Sequence, residues 1–298
     1  MNIKQVELGN SRQVRDFLLV PRLIYRDIPQ WVPPLGNEER VRLDKNHYFF
    51  YQHSAAAFFI AYQDDLPVGR IAVLDNRRYN EYNHTSLAFF YLFESSNEPE
   101  VAAGLFSSAF QWARGRGLTK VLGPKGFTPL DGQGLLVQGF EHRPALGLPY
   151  NPQYYINLIE AQGFEKMREL VSGHLDEDIL FPERIHELSR RIQERRGLHI
   201  ENYHSRKDLK KAVLHLKNLY NNTLLETSGN MPITDQEMKP MVDQILWFAD
   251  PTLIKIVMKE DQAVGFVLAY PDIAAAVQKI NGHLFPFGWF TLLRELRK

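Results

Sequence analysis

The sequence predicts an α/β protein built as two similar units in tandem. Each unit is a mixed central sheet flanked by helices, and the second is incomplete at the C-terminus. Three observations predict this. Apolar runs of strand length alternate with stretches of helical period along all 298 residues. The order strand, helix, helix, strand, strand occurs twice. The chain exceeds the roughly 100–200 residues of an ordinary domain, so two domains or one large one are expected. The units are read as residues 1–180 and 198–298, joined by a connecting helix over 181–197.

Taken in order, Asn2–Leu8 alternates like a strand, and Ser11 is placed as the cap of a helix carrying Val14, Phe17, Leu18 and Ile24. Trp31-Val32-Pro33-Pro34 cannot lie inside a helix, because each proline restricts itself and its predecessor. Ala55–Gln63 and Pro67–Leu74 form a hairpin around Asp64-Asp65, and Ser86–Glu94 is an aromatic strand. Val101–Arg116 is the clearest helix, with Val101, Leu105, Ala109 and Trp112 on one face. A short strand, Thr119–Gly123, leads into a loop rich in glycine. Asn151-Pro152 opens a helix to Gln162, with proline in its first turn, and Leu170–Leu175 is a closing strand. The second pattern has a strand at Leu198–Tyr203 and helices at Lys207–Leu225 and Asp235–Phe248. A hairpin of Thr252–Lys259 and Ala263–Tyr270 completes it.

Composition narrows the function. Thirty-five Lys+Arg balance 35 Asp+Glu, which argues against nucleic acid as a partner, since phosphate binding needs a basic surface. The absence of cysteine excludes disulfides, thiolate nucleophiles and Cys-ligated metals. Ten scattered histidines show no ligand spacing, so no metal is expected. The N-terminus has no apolar signal core, and no run approaches the ~18 apolar residues of a spanning helix, so a cytoplasmic location is expected.

The motif order of the first half resembles the GNAT acyltransferase superfamily. The matching parts are Pro67-Val68-Gly69-Arg70, Phe89–Glu94, Val101–Arg116, and Asn151–Phe164 ending in Gly163-Phe164. Trp31–Leu35, Val68–Ile71, Gly134–Phe140 and Tyr150–Tyr155 resemble a tandem branch that includes bacterial ceramide synthase-like proteins. The resemblance implies N-acylation of an amine, a lipid-like sphingoid-type amine in that branch, with acyl-CoA or acetyl-CoA as co-substrate and no metal. Two departures stand out. Family members continue with a further strand, loop and helix where this chain reaches Lys298. The family's frequent tyrosine acid, four residues before the Gly of Gly-Phe, is Ile159 here.

Several residues are candidates for the chemistry, each beside a plainer reading. Glu94, at the end of the strand that the resemblance makes central, can take a proton from the attacking amine; the alternative is a solvated strand end. His142 is a candidate base through its near-neutral pKa, and Tyr155 a candidate acid. Asp131, Asn151 and Tyr154 are candidates for binding substrate. The alternatives are polar turns and, for the tyrosines, packed rings bonded to backbone.

The cofactor loop is unassigned. In Ser95–Glu100, Asn97 and Glu100 read as a capping box. Glu98 and Glu100 repel a pyrophosphate, so the chain is expected to bind coenzyme A poorly. A non-catalytic binding or scaffold protein is therefore the alternative function. Arg190, Arg191, Arg195 and Arg196 lie on a helix with Ile185, Leu188 and Ile192, which reads as a peripheral membrane contact or as a solvated face. The aromatic stretch Leu284–Leu296 is expected to pack on the second sheet. A sheet edge and apolar patch in the second unit predict self-association.

Overall fold

The computed structural model describes residues 1–173, 180–224 and 230–295. The chain divides into two compact units, one of Met1–Phe164 with the segment from Asp272 onward, the other of Glu165–Pro271.

The first unit is built on a five-stranded mixed sheet in the order β1-β2-β3-β4-β5. Its strands are β1 (Asn2–Gln5), β2 (Ala55–Gln63), β3 (Leu66–Asp75), β4 (Leu87–Ser95) and β5 (Lys120–Leu122). Neighbours β1 to β4 pair antiparallel, and β4 pairs parallel with β5. The β2–β3 hairpin turns on Asp64 and Asp65, both left-handed with φ 49° and 62°, a conformation that Asp tolerates in tight turns. The strands of the hairpin are buried on both faces, because helices cover both.

Helix α1 (Ser11–Ile24) lies on one face and α4 (Pro99–Arg114) on the other; α2 (Glu38–Leu43) and α3 (Arg77–Asn83) lie between strands in the chain. The α4 stripe Val101, Ala102, Leu105, Phe106, Ala109 and Ala113 packs on Ala57, Ile71, Val73, Phe90 and Phe93. Gly69 on β3 permits this contact: a Cβ there would stand 2.9 Å from Val101 and Leu105 side-chain carbons.

The second unit carries an antiparallel three-stranded sheet, β6 (Leu198–Asn202), β7 (Ile254–Lys259) and β8 (Gln262–Leu268), with α6 (Glu183–Arg196), α7 (Arg206–Leu219) and α8 (Asp235–Phe248). Its order β, α, α, β, β and its pairing repeat the opening of the first unit, as the repeated sequence pattern implies. Its core gathers Tyr203, Leu209, Leu216, Ala249, Ile254, Ile256 and Met258.

Local expectations are corrected in six places. Asn10, not Ser11, caps α1; its Oδ1 accepts from the Arg12 and Gln13 N–H groups. The capping box of Asn97 and Glu100 does not form, since α4 starts after Glu98 with Pro99 in its first turn and no side chain caps it. The helix placed at 151–162 shrinks to α5 (Tyr155–Glu160), because Asn151 spends its side chain on a neighbouring loop. Residues 170–173 form no strand, and 174–175 lie outside the described residues. The segment from Asp272, read as the end of the second domain, clusters with the first unit instead. Its helix Ala274–Lys279 buries Ala274, Ala276 and Val277, and Gln278 Nε2 donates to the Pro29 and Trp31 carbonyls at 2.8 Å. The aromatic stretch forms the helix Gly288–Glu295 of that same segment, so it does not join the second sheet; residues 296–298 lie outside the described residues.

Candidate active site

The pairing of β3 with β4 sets Arg70 opposite Glu94. Just before that pair the register shifts, and Leu92 takes a left-handed φ of 49°. Such a bulge bends a strand and re-aims the residues that follow. Arg70 is 1% exposed, and a buried guanidinium is tolerated only when paired. Its Nη1 and Nη2 donate to the two carboxylate oxygens of Glu39 on α2 at 2.8 and 2.9 Å. Nη1 also donates to the Phe17 carbonyl at 3.3 Å, and Nη2 stands 3.8 Å from Glu94 Oε1. Burial pushes the Glu39 carboxyl up, but the Arg70 charge and hydrogen bonds outweigh it and hold Glu39 below the usual range.

Three tyrosines close the other side of Glu94. Tyr155 Oη donates to Glu94 Oε2 at 2.7 Å and accepts from the Ser95 N–H at 2.8 Å. Tyr154 Oη donates to the Ser95 carbonyl at 2.8 Å. Strand β5 ends at Leu122, opposite Phe89, so the last residues of β4 pair with β3 alone. The two phenols from α5 and the residue before it occupy the open side. Tyr25, just past α1, reaches the Glu94 carboxylate and donates to the Tyr150 carbonyl at 3.2 Å. It stacks on Trp31 with centroids 4.8 Å apart and planes 3° from parallel.

These surroundings set the charge states. Burial raises Glu94, and the Arg70 charge with the Tyr155 and Tyr25 hydrogen bonds pulls it partly back, leaving it at about 7. Tyr155 and Tyr25 are pushed well above their ordinary value by burial and by Glu94, so both stay protonated donors. A carboxylate near neutrality, bonded by the Tyr155 phenol and 3.8 Å from the Arg70 guanidinium, can take a proton from a nucleophile at physiological pH.

The structure brings Glu94, Tyr154 and Tyr155 together. The other candidates lie elsewhere in the unit. Asp131 Oδ1 accepts from Arg42 Nη2 at 2.6 Å and its Oδ2 accepts from the Thr128 N–H at 2.8 Å. Asn151 is buried; its Oδ1 accepts from the Leu136 N–H at 2.7 Å and its Nδ2 donates to the Leu136 and Pro152 carbonyls. Both therefore brace the glycine-rich loop. Exposed His142 stands 3.2 Å from Glu141. Sequence reasoning missed Arg70, Glu39 and Tyr25. A lone cation inside the apolar strand Leu66–Asp75 was the available signal for Arg70; Glu39 and Tyr25 carried none.

No protein-family model matches the chain. Two curated relatives align with nearly all of it. Protein YghO of Escherichia coli K12 is 26% identical over 289 residues, covering 97% of this chain and 73% of the relative. Bacterial ceramide synthase of Caulobacter vibrioides is 27% identical over 300 aligned residues, covering 99% of this chain and 77% of the relative. Among solved structures, an aminoglycoside acetyltransferase from a soil metagenome, in complex with sisomicin, is 10% identical with a TM-score of 0.37 over 59% of this chain. By sequence, the chain is similar over nearly its whole length to a bacterial ceramide synthase, the kind of protein its own motifs resemble.

Proposed function

We propose that the chain is an acyl-CoA-dependent N-acyltransferase acting on a long-chain, sphingoid-type amine, with its chemistry at the end of β4. The observation that carries this reading is Glu94, near neutral pKa, bonded by Tyr155 and 3.8 Å from Arg70. The amine nitrogen attacks the thioester carbonyl, forming the C–N bond as the C–S bond breaks. Glu94 takes the proton from nitrogen, and the departing thiolate regains one, giving an amide and free coenzyme A. Direct attack needs no covalent enzyme intermediate, which suits a chain without cysteine. The amine class rests on the name of one relative, a bacterial ceramide synthase.

The donor end is less well provided. The N-terminus of α4 has no side-chain cap, which favours an anion, but Glu98 and Glu100 stand there and oppose it. That acidity favours the second reading, a binding protein without turnover. Mass spectrometry of a mixture of long-chain acyl-CoA, a sphingoid base and the protein tests the pair. Amide formation that Glu94→Gln abolishes supports transfer. No amide, with coenzyme A binding absent by calorimetry, favours the binding protein.

A further inference from the structure

Helix α6 presents an apolar stripe that nothing in the described residues covers. Ile185, Leu188 and Ile192 stand at helical spacing, with Phe181 just ahead of them, and all four are exposed. Of the fourteen residues of α6, only Gln193 is even half-buried. Charge is sorted around the stripe. Arg184, Arg191, Arg195 and Arg196 each stand three or four residues from a stripe member, so they border it. Glu183, Glu187, Glu194 and Arg190 hold no such position and fall behind, Glu187 standing 3.7 Å from Arg191 at the edge.

This sorting selects one occupant. A second copy laid on the stripe would bring arginine borders against arginine borders, which repel. A coiled-coil partner calls for mixed charges along the seam. A bilayer interface calls for an apolar face sunk beside cations that reach outward to anionic headgroups. We infer that α6 docks the protein on an anionic lipid surface, its stripe in the headgroup–acyl boundary and its arginines on the lipid charges.

A separate observation in the first unit agrees. Phe285 and Phe287 are 82% and 79% exposed, and Phe290 and Trp289 are exposed beside them. No acidic residue occurs from Asn281 to Arg294. Exposed aromatic rings without acids belong at membrane interfaces.

Neither surface depends on the acyl-transfer reading, and the test uses neither substrate. The full chain is sedimented with vesicles of phosphatidylcholine alone or with phosphatidylglycerol, at low and at 0.5 M salt. Binding to anionic vesicles is expected to exceed binding to neutral ones at least tenfold and to fall with salt. The variant R184Q/R191Q/R195Q/R196Q and the variant I185S/L188S/I192S should each lose at least tenfold. Circular dichroism should show both folded, since these side chains are exposed. No vesicle binding at low salt overturns the proposal. So does binding that the two α6 variants leave unchanged, including binding lost only in F285S/F287S/F290S, which would make the aromatic turn the anchor. A dimer dissociated by the stripe variant, without vesicle binding, assigns the stripe to a second copy.

Discussion

At the scale of single residues, Glu94 links stability to activity with opposite signs. The folded protein holds the Glu94 proton more tightly than the unfolded chain does, because burial penalises the carboxylate. That preference stabilises the fold fully below the ordinary carboxyl value and is lost as pH rises through about 7. The loss amounts to at most about 3 kcal/mol. Glu94→Gln, neutral at every pH, should therefore melt higher than the parent at pH 8 and nearly level with it at pH 4.5. The same substitution should cut turnover by roughly 100- to 10,000-fold, the usual loss of general-base help. In the parent, kcat/KM should climb with pH and level off above about 7. A flat profile, or an unchanged turnover in the variant, would leave Glu94 as a structural carboxylate.

Arg70 offers a complementary measurement. Its removal strands the Glu39 carboxylate, which is half-buried beside it. Breaking a buried pair from one side costs about 3–5 kcal/mol. Arg70→Met should lower the melting temperature markedly, and the double variant with Glu39→Gln should recover much of the loss. Additive losses in denaturant titrations would show that the two groups do not act as a pair.

Among elements, β4 and α4 decide where the site sits, and both were legible in outline. The aromatic run near Phe89 and the stripe from Val101 follow from periods of two and 3.6. The loop Gly123–Asn151 was not legible, because its form comes from contacts distant in sequence. Asp131 finds Arg42 and Asn151 finds Leu136, and neither partner has a periodic signal. The cap of α4 was misread because Pro99 starts the helix cleanly without help from Asn97. The seat of α4 on β3 rests on Gly69, where the nearest backbone atom to an added Cβ is the Glu94 carbonyl at 3.0 Å. Gly69→Ala should cost about 1–3 kcal/mol by overpacking and displace the end of β4, lowering turnover as well as stability. Unaltered unfolding by urea would mean that α4 shifts without resistance.

For the whole molecule, the division by sequence order met a division by packing. The repeat of β, α, α, β, β was visible, but the membership of the last segment was not. Gln278 donates to the carbonyls of Pro29 and Trp31, Arg22 Nη1 donates to Asn281 Oδ1 at 2.6 Å, and the Gly36 N–H donates to the Gly282 carbonyl. Trp31 is the residue on which Tyr25 stacks, so the segment supports one wall of the site from behind. A chain ending at residue 271 should lose turnover and melt lower. Equal melting of the shortened and full chains would show that the segment rides on the unit without holding it.

The same arrangement sets a clock on synthesis. Residues 165–271 lie in the chain between the two parts of the first unit, so a ribosome must deliver them before that unit can be finished. Domains commonly fold as they emerge, at about 5–20 residues per second. Here the first 164 residues wait, for on the order of ten seconds, with the ground beneath Pro29 and Trp31 still unmade. During that interval the nascent chain exposes a surface that its own tail will later cover, and chaperone binding should concentrate on it.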